Sequence, residues 1–151
     1  MPKYDVTDEA IINGSPDVVY NAVIDEANGK TSWWLPHLSS RLRTGDSYGR
    51  VGAVVDMTVF TKPSVKLAAK TVEVKKNELI RVNYVKGAFR GEGLWRFEDL
   101  GGKTTVSFRW RTDLSGLLMH IFGPFFPVAK NHSDVMKGAF NGLNKFLAGK
   151  S

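Results

Sequence analysis

Few side chains in this sequence could do chemistry. There are three histidines, His37, His120 and His132, and no cysteine. The histidines lack the short spacing that presents metal ligands from one helix or hairpin, so a zinc site would need the fold to gather all three. Without cysteine, disulfides and thiolate metal sites are excluded. The chain has no phosphate-binding glycine loop, no His-Glu-x-x-His and no Gly-x-Ser-x-Gly elbow. His132 is therefore the best single candidate for moving a proton, with Tyr84 behind it. The favoured alternative for His132 is a core histidine bonded to a neighbour, and for His120 a partly exposed residue at a helix end. No cofactor and no structural metal are implied.

His132 owes its interest to the stretch that carries it. Val128, Ala129, Val135, Met136, Ala139, Phe140, Leu143, Phe146 and Leu147 recur every three or four residues. That spacing predicts an amphipathic helix over 128–147 with one apolar stripe. His132 sits inside the stripe, whereas Lys130, Asp134, Lys137, Asn141 and Lys145 fall on the other side. One helix cannot bury such a face alone, so a broad element must cover it. Gly138 and Gly142 lie off the stripe, and nothing in the sequence accounts for them.

The cover is read from the rest of the chain. Tyr4–Ile12 is a first strand that ends at Asn13-Gly14. Ser15 caps a helix with its hydroxyl, Pro16 fits its first position, and the helix runs to about Asp25. Two tryptophans, Trp33 and Trp34, then precede Pro36. Adjacent residues do not share a helix face, so one is expected in the core and the other at a rim or cavity. From there to residue 112 the period is two. Strands are predicted at 42–47, 52–61, 65–75, 78–86, 87–100 and 103–112, with a tight hairpin at Gly101-Gly102. No long helical insert separates them, so neighbours should pair antiparallel.

The last two strands show their faces. Gly91, Gly93, Trp95 and Phe97 face inward with Val106, Phe108 and Trp110, and residues of both charge signs occupy the outer face. Gly91 and Gly93 either let the sheet bend or leave room beneath it. Residues 114–127 are too apolar for an exposed loop, yet hold Gly116, Gly123, Pro124 and Pro127. A mobile gate over an apolar pocket and a fixed plug are both consistent with that composition.

The chain has 151 residues and fits one domain. Lys and Arg outnumber Asp and Glu by 21 to 15, a net charge of +6. The basic residues are scattered and no nucleic-acid motif accompanies them, so a solvated surface is preferred to a nucleic-acid partner. No stretch is long enough for a membrane span. The polar, acidic start and the lack of cysteine suit a cytoplasmic protein.

Ile12-Asn13-Gly14-Ser15-Pro16-Asp17-Val18-Val19-Tyr20 resembles the start of the START-like superfamily, which includes the polyketide cyclase/dehydrase and lipid-transport proteins and the Bet v 1-like proteins. Asp25, Trp33-Trp34 with Pro36, Gly93 to Phe97, Gly101 to Val106 and Gly142 to Leu147 extend the resemblance over nearly the whole chain. It implies an α+β helix-grip fold. A curved antiparallel sheet of six to seven strands would wrap a long C-terminal helix, with two short helices after strand one. It also implies an internal cavity for an apolar, lipid-like or aromatic, small molecule. The residues expected around such a ligand are Trp34, Tyr84, Trp95, Phe108 and Trp110 from the sheet side. His120, Phe122 and Phe126 are expected from the apolar segment, and His132 and Met136 from the helix. Three functions compete: a ligand-binding protein, a cyclase or aromatase-type enzyme using His132 and Tyr84, and a protein-interaction module.

Overall fold

The alternation of the sequence becomes seven strands in the computed structural model, which describes residues 2–116, 121 and 127–149. They are β1 (Tyr4–Ile12), β2 (Leu38–Thr44), β3 (Val54–Val59), β4 (Val65–Lys75), β5 (Leu79–Gly87), β6 (Phe89–Asp99) and β7 (Thr104–Leu114). Helix α1 (Pro16–Ala27) follows β1, and α2 (Val128–Ala148) closes the chain. The sheet order is β1-β7-β6-β5-β4-β3-β2, and every pair is antiparallel. Consecutive strands β2 to β7 are thus neighbours, and β1 returns to pair with β7. Register shifts in the β2–β3 and β4–β5 ladders accompany the curvature.

Local chemistry explains the turns. At Gly101-Gly102 both φ angles are positive, and Leu100 N–H donates to the Lys103 carbonyl at 2.8 Å, as in a two-residue hairpin. Pro16 does open α1, but the Ser15 hydroxyl makes no cap. Its carbonyl instead accepts from Val19 N–H at 3.0 Å.

The second short helix expected after strand one is replaced by successive turns over 33–37, with a cis Leu35–Pro36 bond. Freed from helical geometry, both tryptophans are buried and stack with ring planes 6° apart. Neither tryptophan lies at a rim, so of the two places expected for the second one only the cavity is left. The turn is tied to α1 by Glu26, itself buried. Its carboxylate accepts from Thr31 Oγ1 at 2.5 Å and from the backbone N–H groups of Trp33 and Trp34 at 3.0 Å each. Trp33 Nε1 donates to the Ala22 carbonyl, and Trp34 Nε1 to the Val135 carbonyl of α2.

This turn also explains the two glycines of α2. A Cβ at Gly142 would overlap the Trp33 carbonyl oxygen, and one at Gly138 would overlap the His37 ring. The helix gives up side chains there so that the turn can lie against its backbone. Val135, Met136, Ala139, Phe140, Leu143 and Leu147 form its buried stripe. Asn144 pins the helix to the end of β1, accepting from Asn13 N–H at 2.8 Å and donating to the Ile11 carbonyl at 3.2 Å.

The outer sheet face carries cross-strand pairs, among them Arg109–Asp5 at 2.8 Å and Arg81–Glu73 at 2.9 Å. These pairs are exposed and screened by solvent, so each adds little to stability. Among the described residues, no helix is long and apolar enough to cross a membrane.

Candidate functional site

Helix and sheet do not meet everywhere. Between α2 and the inner face of β3 to β7 lies a cavity of about 150 Å³ with mainly apolar walls. Its floor comes from strand alternation: Met57, Leu67, Val82 and Tyr84 point inward from β3, β4 and β5, joined by Trp95, Phe108 and Trp110 of β6 and β7. Trp34 closes one side from the turn, and Val135, Met136 and His132 close the top from α2. Lys62 and Pro63 of the β3–β4 loop also border it and are exposed.

Of the residues expected around a ligand, Trp34, Tyr84, Trp95, Phe108 and Trp110 all line this cavity, as do His132 and Met136. His120, Phe122 and Phe126 lie outside the described residues, as does most of the apolar segment 114–127. Of that segment, Leu114 is buried at the end of β7, and Ile121 is half exposed. His37 stands apart from the other histidine described, against Gly138. No cluster of three metal-ligating side chains forms among the described residues.

Gly93 has a more specific role than slack in the sheet. A Cβ there would meet the Phe108 ring at 2.5 Å and the Tyr84 hydroxyl at 3.2 Å. The space left by the missing side chain is taken by the Phe108 ring and the Tyr84 hydroxyl.

The cavity is not wholly apolar. The Tyr48 hydroxyl accepts from Trp95 Nε1 at 3.2 Å, and burial pushes its pKa well above the ordinary phenol value. Burial also raises that of Tyr84, with the nearby Tyr48 adding to the shift and the Trp110 indole opposing it. Both phenols stay protonated at neutral pH, which removes Tyr84 as a general base and leaves it as a hydrogen-bonding group or proton donor. Tyr48 escaped the sequence reading because it lies in the irregular link between β2 and β3. It is held there by Asn28 Oδ1, which accepts from its N–H at 2.8 Å, and by the Thr71 hydroxyl, which donates to its carbonyl at 2.7 Å.

His132 stacks on Trp110 with centroids 4.3 Å apart and on Phe108 at 5.9 Å. Burial pushes its pKa down to about 4 despite the opposing pull of Asp8, whose Oδ2 lies 3.4 Å from Nδ1. The imidazole is therefore neutral at pH 7. Asp8 also escaped the sequence reading, since one polar residue in a weakly alternating strand carries no visible signal.

Similar folds occur in solved structures. TTHA0849 from Thermus thermophilus superposes with a TM-score of 0.77 at 19% identity, covering 98% of this chain and 100% of its own. A START superfamily protein from Mycobacterium smegmatis gives 0.73 at 15% identity, covering 97% and 99%. Norcoclaurine synthase from Thalictrum flavum, solved in complex with dopamine and hydroxybenzaldehyde, gives 0.67 at 15% identity, covering 98% and 88%. At these identities the likeness is one of fold, the START-like helix grip. No curated protein matches the chain. The sequence itself matches the family described as polyketide cyclase / dehydrase and lipid transport over residues 3–147, nearly its full length, and the chain belongs to that family.

Proposed function

We propose that this protein, acting as one domain in a cytoplasmic setting, binds an apolar small molecule of aromatic or lipid-like character between its sheet and α2. The observation that carries this reading is the cavity itself. Its volume of about 150 Å³ is left open in a core whose other large side chains are tightly buried. A mainly apolar cavity of that size accepts a benzene-sized ring. Lipid transport in the family's description, and the aromatic ligands of the norcoclaurine synthase structure, lend support by analogy of fold. Tryptophan fluorescence offers the test, because Trp34, Trp95 and Trp110 line the site. Toluene should produce a saturable one-site change that Met57→Phe, which fills the space, removes. A linear, unsaturable response to every one-ring probe would overturn the reading.

A second reading, a cyclase or aromatase-type enzyme, is favoured by one observation: Tyr84 and His132 both reach the same cavity. A neutral imidazole can accept a proton and a protonated phenol can stabilise a developing oxyanion. Conversion of a linear poly-β-keto thioester to a cyclic product, lost in both His132→Phe and Tyr84→Phe, would support it. Identical product yields with and without the protein would count against it. The interaction-module reading rests on a filled core and an exposed apolar patch at 114–127. The open cavity gives it no support.

A further inference from the structure

One pair of groups has no place in a purely apolar site. Asp8 stands on the inner face of β1, in a row whose other members are Tyr4, Val6, Ala10 and Ile12. Its Oδ2 is buried, and so is the Nδ1 of His132, 3.4 Å away. At 3.4 Å the two atoms are in contact without forming a full hydrogen bond, and neither has another hydrogen-bond partner among the described residues. Each is therefore the other's natural partner, and a carboxylate can only accept. The proton of a neutral imidazole then belongs on Nδ1, which leaves Nε2 as a bare acceptor. Trp110 and Phe108, with ring planes 14° and 22° from that of His132, keep the imidazole from turning. The ring lines the cavity, with Nδ1 buried on the Asp8 side. Nε2 is the nitrogen left for a ligand.

The walls restrict what such a ligand can be. Aromatic rings of Trp95, Phe108 and Trp110 favour a flat ring. The volume admits about one ring. An anionic ligand would meet the Asp8 carboxylate behind His132, and a cationic one would lose its hydration to apolar walls. A neutral hydroxyl on an aromatic ring satisfies every condition and is a stronger donor than an aliphatic alcohol.

We propose that Asp8 and His132 form a specificity pair. Asp8 holds His132 with Nε2 as acceptor, and the cavity selects a one-ring phenol whose hydroxyl donates to Nε2. This rests on the cavity being the ligand site. Asp8 is a positioning residue here, and His132 the contact.

Phenol and toluene, which match in shape, test the proposal on the full chain at pH 7 by calorimetric titration. Water holds phenol more strongly, so a cavity without an acceptor takes toluene in preference. The expected result is the reverse, with phenol bound at least tenfold more tightly. His132→Phe, made together with Asp8→Asn so that no carboxylate is left buried alone, should restore the toluene preference. Asp8→Asn alone should reduce the phenol preference at least threefold with toluene affinity unchanged. Its imidazole ¹⁵N shifts should show loss of the single Nδ1–H tautomer. Toluene bound as tightly as phenol by the wild type overturns the proposal and leaves the ligand-binding reading intact. Failure of both ligands to bind overturns both. A phenol preference that survives His132→Phe assigns the hydroxyl contact to Tyr84 and also overturns it. Where a variant does not fold, the wild-type ¹⁵N spectrum decides: an Nε2–H tautomer at His132 overturns the proposal.

Discussion

His132 couples the site to the stability of the fold. The unfolded chain takes up a proton on this residue near pH 6.5, whereas the folded protein does so only near pH 4, because burial disfavours the imidazolium more than Asp8 favours it. Between those values the unfolded state binds more protons, so its contribution to stability is intact above pH 6.5 and falls as the pH drops toward 4. The full loss is at most about 3 kcal/mol. Asp8 of β1 is the charged group facing the ring, β7 presents Phe108 and Trp110, and on α2 the Lys130 and Asp134 side chains pair with each other at 2.9 Å. Asp5, Asp56 and Glu73 act at the lower end of that range and below it. Hydrogen bonds from arginine hold their pKa values low, so their support is present above their ordinary values near 4 and is lost below them. The urea midpoint should therefore decline between pH 6.5 and 4 in the wild type and flatten over the upper part of that interval in the double variant Asp8→Asn/His132→Phe. An equal slope in both proteins would assign the decline to other groups. The sequence marked His132 because one polar residue interrupted a long apolar stripe. Asp8 interrupted nothing as regular, and its role depends on a partner at the far end of the chain, so pattern alone could not expose it.

The elements were the most legible level, because period two and period 3.6 are properties of runs rather than of single residues. The first strand and the long helix lie almost where their apolar spacing puts them, and β4 runs over the predicted residues, Val65–Lys75. The exception is the turn at 33–37, whose shape is imposed by Glu26 and by contact with α2 rather than by local propensity. The same contact made Gly138 and Gly142 unreadable, since a close approach between distant segments leaves no periodic trace. Their substitution sets two effects against each other. Alanine in a helix is preferred to glycine by about 1 kcal/mol. At Gly142, however, the new Cβ runs into the backbone oxygen of Trp33, and overpacking of that kind costs roughly 1–3 kcal/mol or more. Gly142→Ala should lower the denaturation midpoint despite the better helix former. Gly138→Ala, which meets a side-chain ring that can turn aside, should lower it less. An increase in stability for Gly142→Ala would mean that the turn sits further from α2 than described. Phe140, buried on the opposite face, gives a third reading: Phe140→Ala should cost about 3–5 kcal/mol as a core truncation. An unchanged midpoint would place that position against a cavity or solvent.

At the scale of the whole molecule, the sheet and α2 enclose more space than their side chains fill. Sequence periodicity could show that one sheet face and one helix face are apolar, but a filled interior and a hollow one produce the same pattern. The distinction depends on sheet curvature and on the distance at which the 33–37 turn, Asn144 and β1 hold the helix. An internal void has an energetic signature. Side chains that border an open space forgo contacts that a filled core would supply. A ligand stabilises the fold by mass action, by about 2.7 kcal/mol at one hundred times its dissociation constant. For a chain of this size, that should raise the melting temperature by about 5–11 °C. A side chain grown into the void should do part of the same work permanently. Met57 suits the purpose, because it lines the cavity from β3, is only partly buried and is flexible, so phenylalanine can take up open space without displacing the strand. Met57→Phe should therefore melt above the wild type in the absence of ligand, and toluene should no longer raise its melting temperature. The two changes must appear together, since they have one cause. A variant that melts lower and still responds to toluene would show that the space beside Met57 is not the space that holds the ligand.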